Sequence, residues 1–230
     1  MTKATHFGVS VSPGDPELIT LKAIKTIENC PVIAAPRTSG GRTLALDIAK
    51  QCVDLSNKQI LCLDFPMTDD AEILADRHLK IADDICALLE SGMDVAMLNL
   101  GDVSIFGTFT YISKIIKDRG FNVFSIAGVP SFCACAAELN TSLTEMKQPL
   151  HIFPASFDGL EEALKLNGGK VIMKSGKAIN EVLDFINKNG LSDKTSLISD
   201  CGLPTQRIYK NHIFSDCDNL GYFTTIIIKP

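Results

Sequence analysis

The turn that follows residues 94–100 carries the residue types best suited to chemistry. An apolar run there leads directly into Gly101, Asp102 and Ser104. Glycine lets a ligand approach the backbone closely, and a carboxylate can accept hydrogen bonds from a hydroxyl or an ammonium group. The same residues are also typical of a strand-to-helix turn in which Asp102 or Ser104 caps the helix. The local spacing leaves both interpretations open.

The elements around this turn alternate as they do in an α/β protein, where ligands bind at the carboxyl ends of the strands. In the first half of the chain, strand-like runs alternate with helical ones, which predicts a parallel sheet with crossover helices. The predicted strands are residues 7–11, 32–35, 60–63, 94–100, 121–126, 150–153, 170–173, 196–199 and 223–228.

Helical patterns occupy most of the segments between these strands. Asp15 and Pro16 predict the start of a helix that continues through Ile27. Apolar residues recur at helical spacing over 70–90, with Asp69 placed as the cap. Further helices are predicted to end near residue 119 and to cover 44–51, 160–166 and 179–188, and residues 131–139 are predicted to belong to the start of a second unit.

These elements predict two α/β domains, residues 1–119 and 120–230, with the active-site cleft between them. Gly120 marks the predicted boundary because it follows a helix and precedes a new strand. The last strand alternates only weakly and contains Thr224 and Thr225, which suits an edge or an antiparallel position.

The composition limits the classes of function. The 230 residues are 46% hydrophobic and 21% charged, which is ordinary for a globular protein. A formal net charge of −5 argues against a general nucleic-acid-binding protein, although a local basic pocket for an acidic small molecule remains possible. No apolar stretch reaches membrane-spanning length, and the first residues do not resemble a signal peptide, so we expect a cytoplasmic protein without a membrane partner.

The cysteines and histidines do not predict a metal site. Only Cys133 and Cys135 lie close together among the eight cysteines, and one intervening residue is not the spacing of a zinc site. Most of the cysteines are expected to be small buried hydrophobic residues. The four histidines also lack ligand-like spacing; they are His6, His78, His151 and His212.

The first loop, residues 8–18, superficially resembles a dinucleotide-binding fingerprint. Ser10 and Ser12 occupy glycine-like positions and Pro13 stiffens the turn. The strand at 32–35 is not followed by the acidic residue that would bind a ribose. The loop therefore argues against a nucleotide-dependent oxidoreductase.

Three segments together resemble the tetrapyrrole methylase superfamily, whose members use S-adenosylmethionine on a fold distinct from the Rossmann methyltransferases. Residues 8–23 resemble the family's Gly-x-Gly-x-Gly-Pro-Gly-Asp-Pro-Glu-Leu-Leu-Thr-Leu-Lys-Ala. Residues 99–106 resemble its Leu-Gly-Asp-Pro-Ser-x-Tyr, and residues 126–132 its Val-Pro-Gly-Val-Ser-Ser-Phe. This chain departs from those patterns at Ser10, Ser12, Val103, Ala127 and Pro130.

Two further segments resemble the precorrin-2 or cobalt-factor II C20-methyltransferases of cobalamin biosynthesis. They are residues 35–45, which include a Gly-rich loop with two arginines, and residues 63–68, which resemble Leu-x-Phe-Pro-Met. The resemblance implies methyl transfer from S-adenosylmethionine to the C20 meso carbon. It does not distinguish metal-free precorrin-2 from its cobalt complex, and it identifies no catalytic residue.

The resemblance also implies binding residues and an assembly. The residues implied to bind the cofactor are Pro13, Leu100, Gly101, Asp102, Ile105, Thr108, Pro130, Ser131, Phe132, Met173 and Gly202. Arg37 and Arg42 are expected to bind carboxylates of the tetrapyrrole, with Lys147 as a further candidate, because arginine pairs bidentately with carboxylates. A homodimer is expected from the resemblance alone.

Other functions remain as alternatives. One is a methylase of the same superfamily acting on another tetrapyrrole, on the diphthamide precursor or on ribosomal RNA, although RNA would favour a basic surface. Another is a non-catalytic small-molecule binding protein that kept the fold.

Overall fold

The computed structural model describes residues 3–37, 41, 43–66, 68, 70–210 and 220–230. Two compact units are present, Met1–Pro130 and Ser131–Pro230. The elements of the first unit are β1 (Thr5–Val11), α1 (Leu21–Asn29), β2 (Val32–Arg37), α2 (Leu44–Ala49), β3 (Gln59–Asp64), α3 (Ala71–Glu90), β4 (Val95–Leu100), α4 (Phe109–Asp118) and β5 (Asn122–Ile126). Those of the second are α5 (Ser131–Glu138), β6 (Leu150–Pro154), α6 (Leu160–Leu164), β7 (Gly169–Met173), α7 (Ile179–Lys188), β8 (Thr195–Ser199), β9 (Arg207–Lys210) and β10 (Thr224–Ile228).

The first sheet has the strand order β3-β2-β4-β1-β5, and all of its pairings are parallel. The α/β fold and the parallel sheet predicted from the sequence are therefore confirmed. Because every strand runs in the same direction, the loops after β1, β2, β3, β4 and β5 all leave one edge of the sheet. The strand β5 pairs with β1, so the structure places the division between units after Pro130, later than the predicted boundary at residues 119/120.

The strand β1 separates two cores because its side chains alternate between the faces of the sheet. Val9 and Val11 pack in the core beneath α1 and α2. His6 lies on the opposite face, where its ring centroid is 5.1 Å from that of Phe109. Gly8 shares that face, and a Cβ atom there would lie 2.6 Å from the Phe109 ring. The ring of Phe109 thus leaves no room for a side chain at position 8.

The helix predicted from Asp15 is broken into two parts, so that prediction was wrong in its continuity. Asp15 caps a single 3-10 turn, Pro16–Leu18, through a hydrogen bond from the Glu17 amide. Ile19 and Thr20 are extended, and the Thr20 hydroxyl then caps α1. Two capping side chains within six positions favour two separate starts over one continuous helix.

The N-cap of α3 is Asp70, one residue after the predicted cap, Asp69. The Asp70 carboxylate accepts hydrogen bonds from the amides of Glu72 and Ile73. Asp69, the predicted cap, lies outside the described residues. An aspartate at either position fits the sequence pattern, and only the backbone path decides between them.

The second sheet has the order β6-β7-β10-β8-β9. The strand β10 is antiparallel to both β7 and β8, as the sequence indicated, but it is central and buried and not at an edge. The edge strand β9 was not predicted. Only four residues long and mostly exposed, it lacks the apolar run that marks a strand. Within the described residues, no helix is both long and apolar enough to span a bilayer.

The described cysteines lie in several environments. Cys30, Cys86, Cys135 and Cys201 are buried, whereas Cys62 and Cys133 are exposed. Cys217 and His212 lie outside the described residues. Burial of most of these thiols fits the sequence expectation of small apolar residues.

Candidate functional site

Three loops meet at the carboxyl edge of the first sheet, those after β1, β4 and β5. The amide of Gly101 donates to the carbonyl oxygen of Ser12 at 3.3 Å. The amide of Val103 donates to the hydroxyl of Ser10 at 2.8 Å. The amide of Gly128 donates to Oδ2 of Asp102 at 2.7 Å. These bonds hold the β4 loop to both of its neighbours.

Asp102 organises these loops with both of its carboxylate oxygens. While Oδ2 accepts from Gly128, Oδ1 accepts from the amide of Ser104 at 2.8 Å and from its hydroxyl at 2.5 Å. Partial burial opposes ionisation, but the hydrogen bonds from Gly128 and Ser104 outweigh it and hold the pKa of Asp102 below its ordinary value. The carboxylate is therefore ionised at neutral pH and bridges two loops of the protein.

Glycine is required at two points of this arrangement. Gly101 has a φ of 72°, in the left-handed region that other residues rarely adopt. At Gly128, a Cβ atom would lie 2.4 Å from Cβ of Ser10 and 2.8 Å from the carbonyl oxygen of Gly101. Gly101 thus permits the backbone conformation of the turn, and Gly128 permits the close packing of the loop after β5 against Ser10 and Gly101.

The left-handed residue Phe106 ends the same loop. Its φ of 52° is uncommon for a residue with a side chain, and such strain is concentrated at functional sites. The loop therefore keeps a shape that its residues would not adopt by local preference.

Ser10 and Val103 depart from the family pattern as a matched pair. The family positions carry glycine and proline, which supply neither a hydroxyl group nor an amide hydrogen. Here the buried Ser10 hydroxyl accepts the hydrogen bond of the buried Val103 amide. Each substitution therefore provides the partner that the other needs, and the path of the β4 loop is preserved.

We expect these two positions to be strongly coupled in a double-mutant cycle. Ser10→Gly leaves a buried amide without an acceptor and should lower the free energy of unfolding by about 1–3 kcal/mol. Val103→Pro leaves the buried hydroxyl unpaired and should also destabilise the protein. The double variant removes both groups, so it should be at least about 1 kcal/mol more stable than the sum of the single changes predicts. Urea denaturation measures all four proteins, and additive effects would contradict the pairing.

The other residues assigned to the first unit lie on or next to these loops. Pro13 is buried and directly follows Ser12. Leu100 is the last residue of β4, and Ile105 and Thr108 lie between the turn and α4, which begins at Phe109. Pro130 is the last residue of the unit. The structure thus brings the Pro13 loop and the Gly101–Asp102 turn together, as the resemblance implied.

Arg37 forms an ion pair that the sequence analysis missed. Its Nε and Nη2 donate to the two carboxylate oxygens of Asp64 at 2.6 and 2.7 Å. The hydrogen bond from Arg37 holds the pKa of Asp64 below its ordinary value, and the same bond raises the pKa of Arg37. Both residues end adjacent parallel strands, and that adjacency is the signal that could have revealed the pair. Arg42 lies outside the described residues, and Lys147 is exposed in the second unit.

The residues assigned to the second unit also lie at one edge of its sheet. Met173 ends β7, and Gly202 follows β8 in a turn with a φ of 77°. Since both strands are antiparallel to β10, which lies between them, their carboxyl ends share an edge. Lys174 and Asp200 directly follow these strands and have φ values of 56° and 54°. Left-handed residues thus mark both strand ends.

The helix α5 is connected to this edge by a pair of thiols. A hydrogen bond with Cys201, followed by burial, raises the pKa of Cys135. Cys135 lies on α5, which begins with Ser131 and Phe132, and Cys201 precedes Gly202. Cys135 therefore connects α5 to the residue that precedes Gly202 within the second unit.

Comparison with known proteins identifies the family. The sequence profile of the tetrapyrrole (corrin/porphyrin) methylases matches residues 7–215. The chain belongs to the tetrapyrrole methylases. A curated relative of this methylase, from Methanocaldococcus jannaschii, is named a probable cobalt-precorrin-2 C(20)-methyltransferase; it is 36% identical over 78% of this chain and 76% of its own length. The cobalt-precorrin-2 C(20)-methyltransferase of Salmonella typhimurium is 26% identical over 97% of this chain and 95% of its own length.

Solved structures of other tetrapyrrole methylases share the fold. A cobalt precorrin-4 methyltransferase superimposes with a TM-score of 0.78 at 16% identity and covers 98% of this chain and 94% of its own. The Thermus thermophilus uroporphyrin-III C-methyltransferase, solved with S-adenosylhomocysteine, gives a TM-score of 0.70 at 16% identity and covers 98% and 92%.

Proposed function

We propose that this tetrapyrrole methylase transfers a methyl group from S-adenosylmethionine to the C20 meso carbon of precorrin-2 or of its cobalt complex. The observation that carries the proposal is the interlocked set of loops at the carboxyl edge of the first sheet, built on Gly101, Asp102 and Gly128. The substrate is inferred from the relatives named as C20-methyltransferases, which this chain matches over most of its length.

The loop geometry fits a cofactor that is held mainly through backbone groups. Gly101 has no side chain and adopts a left-handed φ, so a ligand can reach the main chain at this turn. The missing side chain at Gly128 lets the loop after β5 pack directly against Ser10 and Gly101. In the first unit the binding residues are proposed to be Pro13, Leu100, Gly101, Asp102, Ile105, Thr108 and Pro130. In the second unit they are proposed to be Ser131, Phe132, Met173 and Gly202. Asp102 acts in this proposal by fixing the loop, because both of its oxygens bind the protein itself.

The protein's main task in this reaction is alignment. S-Adenosylmethionine supplies an electrophilic methyl group, so the chain needs to hold an electron-rich meso carbon in line with it and to exclude other orientations. The rigid turns at Gly101 and Gly202 fix binding positions within each unit. Arg37 carries a positive charge at the same sheet edge as the Gly101 loop, where it would bind a substrate carboxylate.

Methyl incorporation into defined tetrapyrroles tests the proposal. The protein is incubated with S-adenosylmethionine and with precorrin-2, cobalt-factor II or uroporphyrinogen III, and the products are analysed by mass spectrometry. We expect one added methyl group on precorrin-2 or cobalt-factor II and none on uroporphyrinogen III. Calorimetry with S-adenosylmethionine provides the independent measurement.

Each other outcome of these measurements is informative. Absence of S-adenosylmethionine binding would refute the proposal that the protein is a methyltransferase. Binding without methylation of any tetrapyrrole would favour the small-molecule binding protein, and methylation of uroporphyrinogen III would indicate another member of the family. Homodimeric assembly and a cytoplasmic location stay predictions from the resemblance and the composition.

A further inference from the structure

Asp64 binds two arginines at the carboxyl edge of the first sheet. Arg37, at the end of β2, forms the bidentate pair with the Asp64 carboxylate. Arg77, on α3, donates from Nε to the backbone carbonyl of Asp64 at 2.7 Å, and its Nη2 lies 3.4 Å from Oδ2. One carboxylate thus fixes two guanidinium groups from different elements. No motif in the sequence distinguishes Arg77 from the other charged residues of α3.

This cluster carries a net positive charge and is open to a ligand. Two guanidinium groups surround one carboxylate, whose pKa is held below its ordinary value, so one positive charge is left over. The side chains of Arg37 and Arg77 are 38% and 36% exposed. Ion pairs this exposed contribute little to stability, typically about 0–1 kcal/mol. The main effect of the cluster is therefore to orient the two guanidinium groups, since its contribution to the free energy of unfolding is small.

The geometry of the arginines leaves donors for further carboxylates. A guanidinium group has five N–H donors. The contacts of Arg77 with Asp64 involve only Nε and Nη2. A planar guanidinium can bind a second carboxylate along another edge, with the bidentate geometry that arginine favours.

A row of aromatic rings lies next to the cluster. Phe65 follows Asp64 in the chain, and its ring centroid is 6.1 Å from that of His78. His78 stacks on Tyr111 with centroids 5.2 Å apart and an interplanar angle of 6°. The Tyr111 side chain is exposed, on the first turn of α4. An exposed aromatic ring near cationic groups suits a ligand made of heteroaromatic rings with carboxylate side chains.

We infer that Arg77 and Arg37 together bind two carboxylate side chains of the tetrapyrrole substrate, and that Asp64 is the positioning residue that orients both arginines. The inference rests on the proposed function and deepens it. Pyrrole rings of precorrin-2 carry an acetate and a propionate on adjacent carbons. Two cations held around one carboxylate can receive such a pair of neighbouring groups.

The test compares Arg77→Gln with a matched control, Arg119→Gln. Arg119 also pairs with a carboxylate at the surface, Asp83 at 2.6 Å, and its side chain is 35% exposed. For Arg77→Gln we expect the KM for precorrin-2 or cobalt-factor II to rise about tenfold or more, because a charge-assisted pair with the substrate is lost. The kcat should stay within about twofold and the Kd for S-adenosylmethionine should not change, as expected for a residue that binds substrate without aligning the methyl group. Arg119→Gln should match the wild type in all three quantities.

The Asp64→Asn variant tests whether Asp64 orients the two arginines or only reduces the local positive charge. If Asp64 only reduced the local positive charge, its neutralisation would lower the KM for the anionic substrate. If it orients the arginines, the KM should rise severalfold despite the added net positive charge. A lowered KM would overturn the positioning role. Thermal melting of each variant shows that the protein remains folded.

Failure of this inference is distinguishable from failure of the proposed function. An unchanged KM in Arg77→Gln, in an enzyme that methylates precorrin-2, would overturn the inference alone. If the wild type methylates no tetrapyrrole, the proposed function fails, and the arginine pair is tested with uroporphyrin III, a stable octacarboxylate whose fluorescence reports binding. A Kd for uroporphyrin III that is about tenfold weaker in Arg77→Gln supports the pair, and an equal Kd overturns it.

Discussion

Replacement of Gly128 by alanine is expected to lower S-adenosylmethionine affinity and kcat/KM by about a hundredfold. The added Cβ atom would lie 2.4 Å from Cβ of Ser10 and 2.8 Å from the carbonyl oxygen of Gly101. Ser10 lies in β1 and its hydroxyl accepts the hydrogen bond of the Val103 amide, whereas Gly101 is held by its hydrogen bond to Ser12. Neither neighbour can therefore move away without breaking a hydrogen bond. The clash therefore displaces the proposed cofactor-binding turn. Calorimetry with S-adenosylmethionine and initial rates with precorrin-2 measure the effect.

A matched control for this change is Gly221→Ala. Gly221 also lacks a positive φ, and no atom of the described residues lies within 4 Å of the position its Cβ atom would take. The control should bind and react as the wild type does. Wild-type affinity in Gly128→Ala itself would contradict the packed arrangement of the three loops.

His6→Leu is expected to remove a large part of the acid sensitivity of the first unit. His6 is fully buried against Phe109, and burial lowers its pKa from 6.5 to about 3. Its ring lies near the backbone of Val95, yet neither ring nitrogen has a hydrogen-bond partner among the described residues. The folded protein thus keeps a neutral histidine, while the unfolded chain protonates it below pH 6.5.

The sign of the pH dependence follows from the lowered pKa. The stability that depends on a neutral His6 is fully present above about pH 6.5 and is lost as the pH falls from 6.5 toward 3. Between about pH 7 and pH 5 the loss amounts to roughly 2 kcal/mol. Urea denaturation at both pH values should show this loss in the wild type and its absence in His6→Leu.

The control for this measurement changes another histidine and leaves His6 intact. His151 is partly exposed on β6, where its Nε2 contacts the carbonyl oxygen of Asn167 at 2.9 Å. His151→Gln should retain the pH dependence of the wild type. An equal loss of stability between pH 7 and pH 5 in His6→Leu and in the wild type would show that His6 is not the group responsible.

The sequence predicted the first sheet well because its strands are apolar runs between helical patterns. The order of the strands and the position of β10 could not be read in the same way, since pairing depends on contacts between distant segments. The extended residues Ile19 and Thr20 show the same limit locally. A helical spacing of apolar residues continued through them, although the two caps divided the helix.

The sequence predicted the turns of the candidate site more accurately than the contacts between its residues. Gly101 and Asp102 were identified from residue type and motif, and the structure places them in the loop expected. The function of Asp102 was not predictable, because its partner Gly128 is distant in sequence and donates through a backbone amide that every residue except proline has. Arg37 was predicted to bind a substrate carboxylate, and its ion pair with Asp64 was not predicted. Such pairings depend on strand order, which the motifs do not encode.

Because β10 is central in its sheet, the two units complete their sheets at different points of translation. The first sheet has all five strands once residue 126 has been added, so that unit can form its core while translation continues. The second sheet lacks the strand between β7 and β8 until residue 228 has been added. Until then, the edges of β7 and β8 that pair with β10 have no partner, and unpaired strand edges of this kind promote aggregation of a nascent chain.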